Sequence, residues 1–371
     1  MSQVTCPRPR IVLGRRAVRA AWTSPLQPTT SSSVLIGGSP VNHHHRAIAR
    51  ALAGVLGLAV LAACGAPAPS ASTPGPAQSA ATAPATAPAG DSAFPVEVAS
   101  GGAGSTTTIT IAERPDAIIS LSPTATETLF AIGAGEQVKA VDDQSNFPAD
   151  APRTELSGFT PNVEAILGEA PDLVVMARAD EDVVASLAKA GVPTLVLPSA
   201  ANLTEAYDQM ERLGAATGRL AEAKALVAKT DEAIDAAVAS VPERQGETTY
   251  FHELDPTLYT VTGGTFIGEI YGLFGLTSIG DAAGTADLYP QLSEEFVVEQ
   301  DPDLIFLSDT QCCGVTLEQV KQRPGWAGMA AVEHGRVHSV NEDIASRWGP
   351  RVADFAASVA EQVKALEPAQ A

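Results

Sequence analysis

The run Glu164-Ala165-Ile166-Leu167-Gly168-Glu169-Ala170-Pro171-Asp172-Leu173-Val174-Val175-Met176 decides the fold. It reads as a short helix, a proline stop and a buried strand. Pro171 sets the boundary, because a proline pushes the residue before it out of helical geometry. The same pattern recurs 131 residues later as Glu295-Phe296-Val297-Val298-Glu299-Gln300-Asp301-Pro302-Asp303-Leu304-Ile305-Phe306-Leu307. A weaker echo pairs a short apolar helix from Glu127 to Gly133 with another from Glu269 to Gly275. Two similar lobes are the economical explanation.

Outward from these runs, short apolar β-branched segments alternate with longer helix-like ones. The strands expected are Ala117–Leu121, Val138–Val141, Leu173–Met176 and Thr194–Leu197, then Thr248–His252, Leu258–Val261, Leu304–Leu307 and Arg336–Val340. Strands that alternate with helices imply parallel sheets, hence an α/β fold. Between the two sets, Leu220, Ala223, Leu226, Val227, Ala233, Ile234, Ala237 and Val238 fall near helical spacing. This predicts one backbone helix over 218–241, ~33 Å long at 1.5 Å per residue, joining an N-terminal lobe (109–217) to a C-terminal lobe (242–371). The class expected is α/β, with two lobes, each a small parallel sheet flanked by helices, joined by one long backbone helix.

The N-terminal region sets the compartment. Arg46 and Arg50 precede the apolar run Ala51–Ala63, which is too short to span a bilayer, since a span needs about 20 residues. Residues 46–63 have the proportions of a signal peptide and end in Leu61-Ala62-Ala63-Cys64-Gly65. That ending resembles the bacterial lipobox, which makes Cys64 the lipidation site. Residues 65–90 are almost entirely Ala, Pro, Ser, Thr and Gly. Such a composition does not bury enough surface to fold, so 64–108 is expected to be a linker and the folded body to begin near Ile109. Residues 1–45 fit neither role and are expected to be an over-long gene model.

Charge agrees with export. The chain of 371 residues has 23 basic and 43 acidic side chains. Seven arginines and no acid fall within 1–63, so the remainder carries 16 bases against 43 acids. That excess argues against nucleic-acid binding, which needs cations to displace counterions from phosphate. With Cys6 removed and Cys64 lipidated, only Cys312-Cys313 remains, so no disulfide framework is expected.

The stretch Arg114-Pro115-Asp116-Ala117-Ile118-Ile119-Ser120-Leu121-Ser122-Pro123-Thr124-Ala125-Thr126-Glu127 resembles the opening of the helical-backbone substrate-binding proteins of ABC importers, the iron-siderophore and vitamin B12 group. Ser145-Asn146-Phe147-Pro148, Pro161-Asn162-Val163-Glu164, Tyr289-Pro290-Gln291-Leu292-Ser293, Pro324-Gly325-Trp326 and Gly349-Pro350-Arg351 are similar to later motifs of that family, in order, so that the resemblance covers roughly 110–367. It implies a ligand gripped between two lobes that hinge little. It also implies delivery to a membrane permease with its ATPase, by a protein that is a monomer; the lipobox independently implies a lipid anchor to the membrane. Glu164 and Glu269 match the family's exposed permease-docking glutamates, whereas Glu127 is expected to hold a helix start.

Open α/β sheets bind ligands at the carboxyl ends of their strands. The ligand-binding candidates read from strand ends are Gln144, Phe159 and Arg178 in the first lobe. In the second they are His252, Tyr259, Tyr289, Cys312, Cys313, Arg347 and Trp348. Ser122, Pro123, Asp143 and Asp309 occupy similar places. Phe159 and Tyr289 match positions where the B12-binding members carry aromatic residues, and flat aromatic walls suit a corrin or a catechol chelate. Arg347 is the candidate for bidentate contact with an anionic group, with Arg351 bracing the lobe. Cys312 and Cys313 are open to three roles: a vicinal disulfide, a thiol metal site, or a loop device away from ligand.

Past the lipobox only His252, His334 and His338 occur, too few for a bare-metal site, so metal is expected only within a bound chelate and no cofactor of the protein's own is implied. A corrinoid is favoured slightly over a ferric siderophore. Haem, with His252 or Tyr259 as axial ligand, and a ligand-sensing lipoprotein without transport are the alternatives. An enzyme is disfavoured, because the chain has no Gly-x-Ser-x-Gly elbow and no phosphate loop.

Overall fold

The computed structural model describes residues 94–366 apart from Ala103, Ala179 and Gln245, all within a compact unit spanning Thr82–Ala371. The expected extension at 1–45, the expected signal peptide at 46–63, Cys64 and the first part of the expected linker lie outside the described residues. No described helix is long and apolar enough to cross a membrane.

The folded body begins upstream of Ile109. Strands β1 (Val96–Gly102) and β2 (Ser105–Ile111) form an antiparallel hairpin, with Val96 opposite Ile111. Val98 and Ile111 are buried in the first lobe's core, which is why this part of the supposed linker is ordered. The first lobe continues through β3 (Ile118–Leu121), α1 (Pro123–Ala131), β4 (Val138–Val141), α2 (Val163–Gly168), β5 (Leu173–Met176), α3 (Glu181–Lys189) and β6 (Thr194–Val196). Its four parallel strands lie in the order β4-β3-β5-β6. The hairpin covers the exposed edge of β6, where the Ser100 hydroxyl donates to the Thr194 carbonyl and accepts from the Val196 amide.

Two helices follow, α4 (Leu203–Thr217) and α5 (Leu220–Ala239). The second lobe contains β7 (Thr248–Glu253), α6 (Phe266–Gly272), β8 (Leu276–Ser278), α7 (Glu294–Gln300), β9 (Leu304–Leu307), α8 (Leu317–Lys321), α9 (Ala330–Glu333), β10 (Val337–Ser339), α10 (Glu342–Ala345) and α11 (Val352–Lys364). Its sheet order is β10-β9-β7-β8. Counted within each lobe, both sheets have the strand order 2-1-3-4, so the sequence echo is a repeat of topology.

Both sheets are covered on both faces. Along β5, Leu173 and Val175 enter one apolar cluster while Val174 and Met176 enter another. Along β9, Leu304 and Phe306 separate from Ile305 and Leu307 in the same way. Successive side chains of a strand point to opposite faces, so a continuous apolar run fills two cores at once.

The expected strand at Leu258–Val261 is not part of the sheet. Leu258 has φ +66, a left-handed turn conformation that interrupts extended backbone. Tyr259 forms only an isolated bridge to Gln291, and β8 takes the sheet position beside β7.

The backbone helix also differs from its expectation. Ala223 of α5 is buried in the first lobe's core and Ile234 in the second's, so α5 spans both. Helix α4 does the same in the opposite direction, with Ala206 in the second lobe's cluster and Leu213 in the first's. The strut is therefore a helical hairpin. Gly214 permits its tight crossing, because a Cβ there would lie 2.4 Å from that of Ala223 and 2.9 Å from the Arg219 carbonyl oxygen.

Candidate functional site

The turn from β3 into α1 shows how the sequence builds the site. Ser122 caps α1, its hydroxyl accepting from the Ala125 amide, and Pro123 occupies the first helical position. A proline is tolerated there, because that amide has no helical partner to lose. The strand therefore stops at Leu121, and Ser122-Pro123-Thr124 faces a cavity of about 480 Å3.

All four strand ends of the first lobe supply this cavity: Leu121 from β3, Asp142 and Gln144 after β4, Ala177 and Arg178 after β5, and Ser199 after β6. Phe159 forms an aromatic wall and is 68% exposed, with the Arg178 guanidinium 6.0 Å from its ring centre. Gly158 lets the floor close up, since a Cβ there would lie 2.7 Å from the Leu121 carbonyl oxygen and 2.9 Å from Asp142 Oδ2. Beneath the floor runs a buried polar relay. The Thr126 hydroxyl bonds both Ser120 and Ser145, and Ser145 donates to Asp142 Oδ1 at 2.5 Å. Burial pushes the Asp142 carboxyl above its ordinary range, while the Ser145 hydrogen bond pulls it back.

The second lobe closes the same cavity with Asp343, Ser346, Arg347 and Trp348. Trp348 is oriented by a 2.8 Å bond from its indole N–H to Gln209 Oε1 on α4. Arg347 is 8% exposed. Its Nη1 donates to Glu127 Oε1 (2.8 Å) and Asn146 Oδ1 (2.9 Å), and its Nη2 to the Gln144 carbonyl (3.2 Å) and Asp343 Oδ1 (2.6 Å). All four Nη protons are thus engaged. Arg351 adds a two-pronged contact to the same glutamate, through Nε to Oε2 (2.8 Å) and Nη2 to Oε1 (2.5 Å).

This corrects the helix-start reading of Glu127. Its side chain is fully buried inside α1 and is gripped by two arginines from the other lobe. Both arginines therefore brace the lobes, and Arg347 is part of the cavity wall at the same time.

The structure brings together Gln144, Phe159, Arg178, Arg347 and Trp348 around one cavity. Tyr259 and Tyr289 line a different one of about 480 Å3 on the second lobe, with Asp287, Gln291 and Phe296. Its wall includes Ala283, reached from the carboxyl end of β8.

His252 is not at the ligand surface. It lies inside β7, fully buried, with Nδ1 2.9 Å from the Tyr271 hydroxyl, and burial lowers its pKa to about 3. It is a neutral core residue. Cys312 and Cys313 are exposed free thiols that line neither cavity. Burial, the neighbouring thiol and Glu342 push the Cys312 thiol up, so it is protonated at neutral pH.

The second lobe's counterpart of the β3–β5 junction is the β7–β9 junction, and it is filled. Glu253 is fully buried and takes both prongs of Arg323, at 2.5 Å each. Arg323 also lies 4.5 Å from the Trp326 ring centre. Asp309 is buried with neither carboxyl oxygen hydrogen-bonded. Burial and then the Glu253 charge raise its pKa to about 7.

Of the proposed docking acids, Glu164 is exposed in the first turn of α2, behind the Asn162 cap. Glu269 is half-buried, and its Oε2 accepts from the Leu203 amide at 2.7 Å, which ties α6 to the start of α4. The residues that sequence reading missed are Asp142, Gly158 and Asp343. Asp343 carried a signal, since it stands four residues before Arg347, the spacing of a helical ion pair.

Two repeated α/β lobes, a bridging helical pair and a cavity at the strand ends define a two-lobed solute-binding protein. Residues 118–343 match the family described as periplasmic binding protein, and the chain belongs to that family, one of binding proteins and not of enzymes. The ABC transporter substrate-binding lipoprotein YvrC of Bacillus subtilis (strain 168) is 30% identical over 279 residues, covering 73% of this chain and 86% of that protein. A cobalamin-binding protein of Halobacterium salinarum is 29% identical over 265 residues, covering 69% of this chain and 71% of its own length. The crystal structure of the periplasmic vitamin B12 binding protein BtuF of Vibrio cholerae superposes with a TM-score of 0.56 at 26% identity, covering 67% of this chain and 96% of that structure.

Proposed function

We propose that this protein is the capture component of an ABC importer and that its solute is a metal chelate of the corrinoid class. The observation that carries the reading is the cavity at the four strand ends of the first lobe, walled by Phe159 and Trp348. Its apolar aromatic faces suit a large planar chelate. The relatives named for cobalamin and vitamin B12 support the same class. Haem is the weaker reading: His252, one of its two candidate axial ligands, is sealed in the core, and among the described residues no histidine, cysteine, methionine or tyrosine lines the main cavity.

The protein works outside the cytoplasm, held by lipid on Cys64, as a monomer. Glu164 and Glu269 orient it on the permease, with Glu164 the more available of the two. Two separated charges on rigid lobes guide orientation and encounter more than affinity. Tyr259 and Tyr289 offer a second aromatic face.

Calorimetric titration of cobalamin into the full chain tests the reading. The expected result is saturable one-to-one binding, weakened about tenfold in Phe159→Ala by loss of an aromatic wall. Absence of binding, or equal binding by the variant, would sink it.

A further inference from the structure

The charges around the cleft point beyond ligand class to ligand charge. Near the main cavity, Arg347 and Arg351 are matched by Glu127 and Asp343, so this brace adds no net charge. Arg178 differs. It is exposed at the end of β5 against the face of Phe159, and no described carboxylate forms an ion pair with it. The nearby Asp180 side chain is turned to the Val183 amide, which it caps. The remaining ionisable group on this wall is the acid Asp142. Among the described residues, the second cavity contains Asp287 and no lysine or arginine, and Arg323 at the filled β7–β9 junction is held by Glu253.

We propose that the cleft selects a chelate carrying at most one negatively charged group, and that Arg178, seated on Phe159, reads that group. The physical reason is compensation. An anion leaving water needs a charged donor to replace its hydration, and like charges facing each other oppose binding. One uncommitted guanidinium meets one phosphodiester or carboxylate. A trianionic ferric chelate would bring two further charges toward Asp142, with no uncommitted cation among the described residues of this wall to receive them. This inference rests on the chelate reading and narrows it.

The test is a calorimetric panel on the full chain and on Arg178→Gln. The probes are cyanocobalamin, which has one phosphodiester; dicyanocobinamide, which lacks it; haemin, with two carboxylates; and a ferric tricatecholate of net charge −3. Cyanocobalamin is expected to bind tightest and to weaken about tenfold in the variant, the loss typical of one charge-assisted hydrogen bond. Dicyanocobinamide should bind both proteins equally. The tricatecholate should bind at least about 100-fold more weakly than cyanocobalamin. Tricatecholate or haemin binding as tightly as cyanocobalamin would overturn the charge rule while leaving the chelate reading intact. Equal loss of cyanocobalamin and dicyanocobinamide in the variant would overturn the role of Arg178. Binding of none of the four would overturn the chelate reading and this inference with it.

Discussion

The two lobes share one strand order and use its crevice in opposite ways. In each, the chain crosses from one side of the sheet to the other between the first and third strands, where open α/β sheets hold ligands. Between β3 and β5 that crevice is open, and Ser122, Pro123, Ala177 and Arg178 face a cavity. Between β7 and β9 it is plugged by Glu253, Asp309 and Arg323. Topology thus supplies two equivalent junctions, and side-chain chemistry leaves one open and fills the other. The second lobe, its own junction filled, contributes Arg347 and Trp348 from beyond β10 to its neighbour's cavity.

The largest expected effect comes from breaking the plug. Arg323→Met leaves the fully buried Glu253 without a counter-ion beside a second buried acid. Removing one partner of a buried pair costs about 3–5 kcal/mol, so urea unfolding should lose about 4 kcal/mol, near the middle of that range. A loss below about 1 kcal/mol, the size of a surface pair, would mean the junction is hydrated and not plugged.

Next is the brace between the lobes. Glu127→Gln removes the carboxylate that both arginines share, though Asp343 and Asn146 still hold Arg347. Because those contacts remain, the loss should be about 3 kcal/mol, at the lower end for a broken buried pair. If the brace ties the lobes, a wild-type unfolding transition shared by both should split in the variant, followed by Trp326 and Trp348 fluorescence for the second lobe and by amide exchange along β3 and β5 for the first. Two transitions already present in the wild type would contradict that role.

The smallest effect is a pH slope confined to the plug. Asp309 holds its proton to about pH 7 in the fold, whereas an unfolded aspartate releases it near 3.8. Between these values the folded state binds more protons, so the Asp309 contribution to stability falls as pH rises from about 4 to about 7 and levels off above. Asp309→Asn should remove that decline. Its melting temperature should match the wild type near pH 4 and exceed it by at least about 2–4 °C at pH 8, the shift expected per kcal/mol in a domain of this size. An unchanged slope in the variant would assign the decline to another group. His252 acts with the opposite sign. Its lowered pKa removes stability as pH falls below 6.5, so the two slopes oppose each other in the wild type.

Much of this architecture was legible in sequence. The proline stops at Pro171 and Pro302 located β5 and β9 and revealed the repeat. The helix over 218–241 appears as Leu220–Ala239, but its antiparallel companion α4 went unrecognised as part of the strut. Small residues at the crossing, Gly214 and Ala223, matter only once two segments meet.

Cavity-lining residues were legible where local chemistry marks a strand end, as at Gln144 and Arg178, whereas Phe159 lies in the long loop between β4 and α2. His252 misled because β7 runs one residue further, to Glu253, and the histidine faces the core and Tyr271. Glu127 was invisible as a brace. Its partners lie 220 and 224 positions away, and a buried glutamate inside a helix has the same one-dimensional pattern as a solvated one.

The most direct test of the lobe asymmetry is hydrogen exchange of the full chain with and without saturating cobalamin. New protection is predicted at the amides of Ser122, Thr124–Thr126, Gly158–Phe159 and Ala177–Arg178, with no change around Glu253 and Ser308–Asp309. Protection centred on the β7–β9 junction, with none at the β3–β5 junction, would contradict the account.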